Sequence, residues 1–408
     1  MSQNVLVLNI GMLATPLGKA ARRGEEQGQI EILKDAYVRI RNGEIVEVGT
    51  GVPDFRCADI VDANRALVTP GLVDAHTHLI FGGWRQNELG LKLHGASYLD
   101  IQNAGGGIQS TTNATRSATE EELADKAEKA LNEMLRFGTT TCEAKSGYGL
   151  ATEHELKELR VIRELNERHP IDLVATFMGA HLVPAEYQQN REKYVRLVCE
   201  EMMPLVQEQG IAKFCDVFCE ADTFTAEESR RILEAGLKCG LRPKIHADEI
   251  EAIGGSQLAG EIGAISAEHL IVCPPEGIAS MAKGGVIACL LPATSFNLGA
   301  TFAPARDMVN AGVPVAMATD FNPGSCPCLN MQFVINLGCL KYRLTPEEVL
   351  TAVTLNGAAA IDLADKVGTI EVGKKADLVI WDAPDLDYIC YRVGSNLVKT
   401  VIKAGEIV

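Results

Sequence analysis

The chain has 408 residues, a formal net charge of −16 and a hydrophobic fraction of 47%, a composition typical of a globular protein rather than a disordered or membrane one. The length accommodates one barrel of roughly 250 residues together with a small second domain. Because the acidic charge repels phosphate backbones and no dense Lys/Arg cluster offsets it, we expect no nucleic-acid partner.

Short β-strands are predicted at both ends of the chain. Residues 1–62 contain the apolar run VLVLNI and the segment AYVRIRNGEIVEVG, whose Asn42-Gly43 pair is a strong signal for a two-residue hairpin turn. Residues 363–408 contain ADLVIWD and LVKTVIKAGEIV. Since neither end holds enough apolar strand for a sheet of its own, we expect 1–62 and 363–408 to pair into one small β-sandwich domain.

Residues 63–362 alternate short apolar strands with helices rich in Glu, Lys, Leu and Ala, a pattern typical of βα units around a parallel sheet. Eight candidate strands follow one another: ALVTPGLVDAHTH, GTTTCEAKSG, IDLVATFMGAH, AKFCDVFCE, RPKIHADE, AISAEHL, VIACLLPATS and VPVAMATD. Eight consecutive units favour a closed barrel over an open sheet. The predicted fold class is therefore α/β, a (β/α)8 TIM-type barrel that carries the small domain built from both termini.

Histidines and one aspartate occupy the predicted C-terminal ends of several barrel strands, which is where barrel enzymes carry their chemistry. His76 and His78 share one face of the first strand, because alternate residues on a strand point the same way. His246 ends the fifth strand, His269 the sixth and Asp320 the eighth. Since these strand ends meet at one rim of a barrel, the pattern predicts a metal site there.

Imidazoles with one carboxylate suit zinc or ferrous iron better than a hard cation, which prefers oxygen ligands. Such a set leaves room for a water whose pKa the metal lowers toward neutrality. We expect one divalent transition metal, Zn2+ or Fe2+, per chain. For His269, and for His181 at the end of the third strand, a hydrogen-bonded structural role is the alternative.

Several motifs resemble those of a known family. The segments VDAHTH, IHADE, AEHL and ATDFNPGS resemble the amidohydrolase superfamily, and FGGWRQNE, GASYLDI, GGGIQSTTNATR and KSGYGL are similar to the imidazolonepropionase family within it. The resemblance spans nearly the whole chain. It implies a metal-dependent hydrolase that converts 4-imidazolone-5-propanoate to N-formimidoyl-L-glutamate in L-histidine degradation.

The resemblance also implies roles for individual residues. It makes His76, His78, His246 and Asp320 the metal ligands, and Glu249, His269 and Asp320 the groups that move protons. Arg85 would hold the substrate's propionate, since a planar guanidinium can make two charge-assisted hydrogen bonds to a carboxylate. The other implied substrate contacts are Tyr98, Tyr148, His181, Glu249, Asn322, Gly324 and Ser325.

Alternatives remain open at this point. A surface ion pair with Glu88 is the plain structural interpretation of Arg85, and Tyr98 and Tyr148 could be ordinary packing residues. Lys145 is not counted as a ligand, because the lysine that bridges two metals in some superfamily relatives belongs to a different strand. A deaminase of purines or pyrimidines would use the same four ligands, and a noncatalytic superfamily member would act in binding or assembly.

The sequence also predicts the setting of the protein. No apolar run approaches the roughly 20 residues that cross a bilayer, and MSQNVLVLNI has no basic region followed by a cleavable apolar stretch. Twelve cysteines without the spacing of a disulfide scaffold suit a reducing compartment. We expect a cytoplasmic homodimer without a membrane segment, acting on a small anionic substrate.

Overall fold

The computed structural model describes residues 4–54, 59–95 and 105–408. Its strands, in chain order, are β1 Asn4–Thr15, β2 Glu31–Arg41, β3 Glu44–Thr50, β4 Asp59–Asp62, β5 Leu67–Pro70, β6 Leu72–Asp74, β7 Thr139–Lys145, β8 Asp172–Ala180, β9 Phe214–Cys219, β10 Arg242–Ala247, β11 Ser266–His269, β12 Ile287–Leu290, β13 Val315–Met317, β14 Leu378–Trp381, β15 Val398–Lys403 and β16 Glu406–Ile407. They form two separate sheets.

The α-helices of the described residues are Leu89–Leu93, Gly107–Ser117, Glu120–Arg136, Thr152–Arg168, Arg191–Leu197, Met203–Gln209, Ala226–Lys238, Gly255–Ile262, Pro275–Gly284, Pro292–Leu298, Ala305–Asn310, Met331–Leu340, Pro346–Val353, Leu355–Ala360 and Leu386–Tyr391. A π-helical segment, Val198–Met202, joins two of them, and short 3-10 turns lie at Gly24–Gly28, Gln86–Glu88 and Ala185–Tyr187. None of the helices in these described ranges is long and apolar enough to cross a membrane.

The terminal sheet joins the two ends of the chain, as predicted. Its strand order is β16-β15-β14-β5-β1-β2-β3, with β4 beside β1. Arg41 and Glu44 are paired across the β2–β3 hairpin, and Asn42 and Gly43 between them have positive φ angles of 51° and 82°, as a two-residue type I′ turn requires. The separate terminal sheet is therefore confirmed, while the boundaries at 62/63 and 362/363 stay a prediction.

The second sheet is parallel and runs from β6 to β13 in chain order. It closes where the segments after β6 and β13 meet: the Asp320 amide donates to the His76 carbonyl (3.0 Å), and the His78 amide donates to the Phe321 carbonyl (2.8 Å). Residues between the strands pack as helices outside the barrel. The predicted (β/α)8 barrel is confirmed.

The run ALVTPGLVDAHTH, predicted as one strand, is divided between the two sheets. β5 pairs with β1 and β14, whereas β6 pairs with β7 in the barrel. The division falls at Gly71, where a Cβ would lie 2.2 Å from Oγ1 of Thr140. The prediction of a single strand was wrong, because an unbroken apolar run does not reveal that its two halves are buried by different partners.

The helices around the barrel begin at sequence signals and bury one face. At the start of Glu120–Arg136, Oγ1 of Thr119 accepts from the Glu122 amide (3.1 Å), and the Glu122 carboxylate accepts from the Thr119 amide (2.9 Å). This capping box satisfies backbone donors that the first helical turn leaves unpaired. The same helix buries four apolar side chains at helical spacing against the core: Leu123, Ala127, Leu131 and Met134.

Candidate metal centre

The predicted site residues lie together at the C-terminal rim of the barrel. His76 and His78 flank Thr77, which bridges to Phe321 just past β6. His246 lies near the end of β10, and His269 is the last residue of β11. The backbone of His269 and Asp320 is left-handed, with φ of 66° and 56°. Such strain in non-glycine residues is concentrated at functional sites.

The four predicted ligands converge on one small volume. Nε2 of His76 lies 3.4 Å from Oδ1 of Asp320, and Nε2 of His78 lies 3.6 Å from the same oxygen. Nε2 of His246 lies 3.4 Å from Nε2 of His78. His269 belongs to the same cluster, because its ligand atom lies within 4.8 Å of those of His76 and His246. The structure therefore brings all four predicted ligands and His269 together.

The donor atoms in this cluster fit a metal cation. Nε2 of His76 and Oδ1 of Asp320 are buried but form no hydrogen bond with the described part of the chain. Burying a polar atom without a partner is unfavourable, so these two atoms are expected to bind another group. Burial lowers the pKa of His76 and His78 well below the usual range, so these rings are neutral and carry a lone pair. Neutral imidazoles and one carboxylate are the ligands that zinc and ferrous iron accept.

Neighbouring side chains orient the proposed ligands. Nδ1 of His76 donates to Oε2 of Glu268 (2.8 Å), and Nδ1 of His246 donates to Oδ1 of Asp216 (3.1 Å). A hydrogen on Nδ1 leaves the lone pair on Nε2, which is the nitrogen that faces the cluster. Oγ1 of Thr294 donates to Oδ2 of Asp320 (2.6 Å). Each of these three ligands is thus held through the atom that does not face the cluster.

Glu249 lies next to His269, the member of the cluster that is not a predicted metal ligand. Nδ1 of His269 lies 3.6 Å from Oε1 of Glu249. Burial, with smaller effects of the charges on Asp320 and Glu220, raises the pKa of Glu249 to about 8. Burial lowers the pKa of His269 well below its usual value. At neutral pH the carboxyl group therefore holds a proton and the imidazole does not, which gives the site one proton donor and one acceptor.

Arg85 is held in the loop after β6 by a carboxylate. Its Nε donates to Oε1 of Glu88 (2.8 Å) and its Nη2 to Oε2 (3.0 Å). The side chains of Arg85 and Glu88 are only 9% and 2% exposed, so the pair is not the surface ion pair considered above. Burial is the main cause of the low pKa of His181, and the charge of Arg85 lowers it slightly further, as expected if the guanidinium lies near that ring.

His181 and Tyr148 form one wall beside the cluster. The His181 ring is stacked on His78, with centroids 4.8 Å apart, and the Tyr148 ring centroid lies 5.1 Å from that of His181. Nδ1 of His181 donates to the Gly147 carbonyl (3.0 Å). Burial lowers the pKa of His181 to about 3, so the ring is neutral and Nε2 can accept a hydrogen bond.

The loop after β13 is shaped by Asn322. Its Oδ1 accepts from the amides of Gly324, Ser325 and Cys326, and its Nδ2 donates to the Asp320 carbonyl and to Oγ of Ser325. Asn322 thereby fixes the turn that carries Gly324 beside the guanidinium of Arg85. Direct contact with the substrate stays a prediction for Asn322, Gly324 and Ser325. Tyr98, the remaining predicted contact, lies outside the described residues.

Four charged residues that support the site from inside the barrel were not predicted from the sequence: Glu143, Asp216, Lys244 and Glu268. A signal for one of them was present, because Lys244 precedes His246 by two positions and therefore shares its strand face. A charged residue on a strand that is buried along its whole length also needs a partner of opposite charge or a hydrogen bond. Thr294 carried no such signal, since it lies on helix Pro292–Leu298 rather than on a strand.

Sequence comparisons identify the family of the chain. A model of the Amidohydrolase family matches residues 67–408. The imidazolonepropionase of Alkaliphilus metalliredigens is 52% identical to this chain, covering 100% of the chain and 98% of the relative. The imidazolonepropionase of Brevibacillus brevis is 51% identical, with the same coverage of both chains.

Solved structures show the same fold at low sequence identity. Atrazine chlorohydrolase from Arthrobacter aurescens, complexed with zinc, superimposes with a TM-score of 0.72 at 18% identity, covering 99% of this chain and 94% of that one. Guanine deaminase from C. acetobutylicum, with bound guanine, has a TM-score of 0.70 at 16% identity and covers 100% of both chains. Since the family match covers most of the chain and the imidazolonepropionases match it at about half identity over its full length, the chain belongs to the amidohydrolase family of metal-dependent hydrolases and, within it, to the imidazolonepropionases.

Proposed function

We propose that the chain hydrolyses 4-imidazolone-5-propanoate to N-formimidoyl-L-glutamate, a step of L-histidine degradation. The proposal rests on the arrangement of three features in one pocket. Buried ligand atoms that lack hydrogen bonds converge there, a protonated Glu249 lies beside them, and Arg85 is held nearby. The first two features serve ring hydrolysis and the third serves an anionic substrate. The relatives that match over the full chain are named imidazolonepropionase.

His76, His78, His246 and Asp320 would hold one divalent metal, zinc or ferrous iron. When bound, the metal supplies Lewis acidity that activates a water and polarises the ring carbonyl. The proposal of a single ion, either zinc or ferrous iron, rests on this ligand set, which has three imidazoles and a single carboxylate.

Substrate orientation is assigned to the loops at the barrel rim. Arg85 would hold the propionate, and Glu88 keeps the plane of its guanidinium fixed before the substrate arrives. Tyr148 and His181 would line one side of the ring, with Tyr98, Asn322, Gly324 and Ser325 completing the pocket. A guanidinium that is already oriented loses less rotamer freedom when it binds a carboxylate.

Proton movements are assigned to three side chains. Asp320 and His269 would accept a proton from the attacking water, since burial keeps the pKa of His269 low and its ring neutral. The water oxygen forms a bond to the ring carbonyl carbon, and the bond from that carbon to the ring nitrogen breaks. Glu249 would donate the proton that the leaving nitrogen needs, because its raised pKa of about 8 keeps it protonated at neutral pH.

The test is an assay of the purified chain with 4-imidazolone-5-propanoate, in which formation of N-formimidoyl-L-glutamate is followed. Guanine and cytosine serve as controls for the deaminase alternative, and Glu249→Gln serves as a matched inactive variant. We expect ring opening of the imidazolone and no ammonia release from either base. Deamination of a base without ring opening would favour the alternative, and no reaction in the metal-loaded chain would favour a noncatalytic role.

The composition and charge of the chain also support proposals about its assembly and location. We infer a homodimer in the cytoplasm that has no nucleic-acid partner. The strongly acidic net charge of −16 supports the last point.

A further inference from the structure

A layer of five buried charged side chains lies inside the barrel next to the proposed metal ligands. It consists of Glu143, Lys145, Asp216, Lys244 and Glu268, and each is no more than 1% exposed. We call this set the buried charge layer. Its residues come from β7, β9, β10 and β11, and the proposed reaction gives none of them a step. Charged groups are rarely buried so deeply unless they are paired.

The layer is a continuous chain of ion pairs. Nζ of Lys244 lies 2.7 Å from Oε1 of Glu143 and 3.5 Å from Oε1 of Glu268. Nζ of Lys145 lies 2.8 Å from Oε2 of Glu143 and 2.8 Å from Oδ2 of Asp216. Glu143 therefore lies at the centre of the layer, where each of its two oxygens contacts one of the lysines.

Both ends of this chain reach a proposed metal ligand. Glu268 accepts from Nδ1 of His76, and Asp216 accepts from Nδ1 of His246. An unbroken path thus runs from His76 through the buried charge layer to His246. Asp216 and Glu268 each use one oxygen for a lysine and the other for an imidazole. Ser266 also donates to the oxygen of Glu268 that faces Lys244, and the Val217 amide donates to Asp216, so the lysines share in fixing where these two carboxylates point.

The two lysines also balance most of the negative charge of the layer. Three carboxylates and two ammonium groups sum to one negative charge in a region of low dielectric, where Coulomb interactions are strong. Removing one lysine would leave a buried carboxylate without its counter-charge, and the carboxylate would then turn or recruit another partner. The imidazole bonded to it would lose its fixed orientation.

We propose that Lys145 and Lys244 are positioning residues of the metal site. They hold Asp216 and Glu268 so that the hydrogens of His246 and His76 stay on Nδ1 and both Nε2 atoms face the metal. The inference rests on the ligand set of the proposed function. It predicts a role for both lysines that involves neither substrate contact nor metal ligation.

Metal affinity tests this inference without any assay of turnover. Zn2+ binding to metal-free Lys145→Met and Lys244→Met is measured by competition with a chromophoric chelator, and we expect affinity about ten- to hundred-fold weaker than in the unaltered chain. As a second readout, the visible absorption spectrum of the Co2+-loaded variants should change, because it reports ligand geometry. Unchanged affinity and an unchanged spectrum in both variants would overturn the proposal.

Lys374 provides a matched control. It is also buried, at 2% exposure, but its Nζ donates to the carbonyls of Gly18 and Ala364, away from the ligands. Lys374→Met should lower the unfolding temperature while leaving Zn2+ affinity and the Co2+ spectrum unchanged. If Lys374→Met weakens Zn2+ binding as strongly as the other two variants do, the effect is general destabilisation and the proposal fails.

Glu143→Gln keeps the test decisive if the methionine variants do not fold. It is nearly isosteric, touches neither imidazole, and removes the charge that joins the two lysines. Weaker Zn2+ binding with a retained fold supports the proposal, and unchanged binding contradicts it. Failure of the proposed ligand set would show itself differently, because the unaltered chain itself would then bind no Zn2+ with measurable affinity.

Discussion

Glu88 holds the guanidinium of Arg85 in a two-bond grip, 2.8 Å from Nε and 3.0 Å from Nη2. Oε1 of Glu88 also accepts from the amide of Gly107 (2.7 Å), at the start of the helix Gly107–Ser117. The pair therefore connects the loop after β6 to that helix. Because the buried guanidinium is held by two hydrogen bonds, its plane is fixed. A guanidinium with a fixed plane is suited to recognise a planar carboxylate.

Arg85→Ala should lower kcat/KM for 4-imidazolone-5-propanoate by roughly 100-fold or more, since the ring loses the group that orients it. Arg85→Lys should recover only part of that loss, because a point charge cannot reproduce the two-bond geometry. Steady-state kinetics measures the effect, and metal analysis should find the metal content of both variants unchanged. An equal loss on a neutral analogue that lacks the propionate would mean that Arg85 serves the loop and not the substrate.

Gly324→Ala should raise KM, because the added Cβ would lie 2.2 Å from Nη1 of Arg85 and force the guanidinium to move. An effect of about tenfold or more on kcat/KM is expected from a displaced substrate anchor. Gly90→Ala is the matched control, since a Cβ at Gly90 meets no atom within 4 Å. Similar kinetics for the two variants would argue against a guanidinium that must stay in place.

Asp320→Asn should abolish measurable turnover and leave the fold intact. The substitution removes a charged ligand and a proton acceptor together, while the amide keeps the size of the side chain and an oxygen that can still accept from Thr294. Kinetics and circular dichroism of the same sample separate the two effects. Near-normal activity would contradict the assignment of Asp320 to the metal.

The purified chain should contain about one zinc or iron ion per polypeptide, because three imidazoles and one carboxylate complete a single four-ligand site. Elemental analysis measures the content, and dialysis against a chelator should remove the metal and the activity together. Readdition of Zn2+ or Fe2+ should restore activity. Two ions per chain at full occupancy would be inconsistent with a single-metal centre.

Stability of the metal-free chain should depend on pH through Glu249. Its pKa is raised from 4.5 to about 8, so between these values the folded chain holds a proton that the unfolded chain has released. The free energy of unfolding therefore falls as pH rises through this window, by up to about 1.4 kcal/mol per pH unit. Above the folded pKa this slope disappears.

Urea unfolding of the chelator-treated chain at several pH values measures that dependence. Other buried carboxyl groups contribute to the total slope, so the informative quantity is the difference between the unaltered chain and Glu249→Gln. The variant should have a smaller decrease between about pH 5 and pH 8. Equal slopes in both proteins would show that Glu249 does not hold the extra proton.

Local patterns in the sequence were enough to predict much of the architecture. A β-strand repeats every two residues, so His76 and His78 were expected on one face, and their Nε2 atoms do lie 3.4 and 3.6 Å from the same Asp320 oxygen. Asn42-Gly43 predicted its hairpin because few other residues adopt two successive positive φ angles. The C-terminal ends of parallel strands meet at one rim, which is why the strand-end histidines could be placed together.

Other features depend on contacts between distant parts of the chain. The division of ALVTPGLVDAHTH into β5 and β6 reflects burial against two different sheets, and no local periodicity distinguishes those partners. The orientation of His76 depends on Glu268, 192 residues away, and that of Asp320 on Thr294. The sequence by itself was enough to propose which residues carry the ligand atoms and which strand ends present them. Only the tertiary structure decided which atom of each ligand faces the site, because that choice is made by hydrogen bonds and buried charges that closure of the barrel brings together.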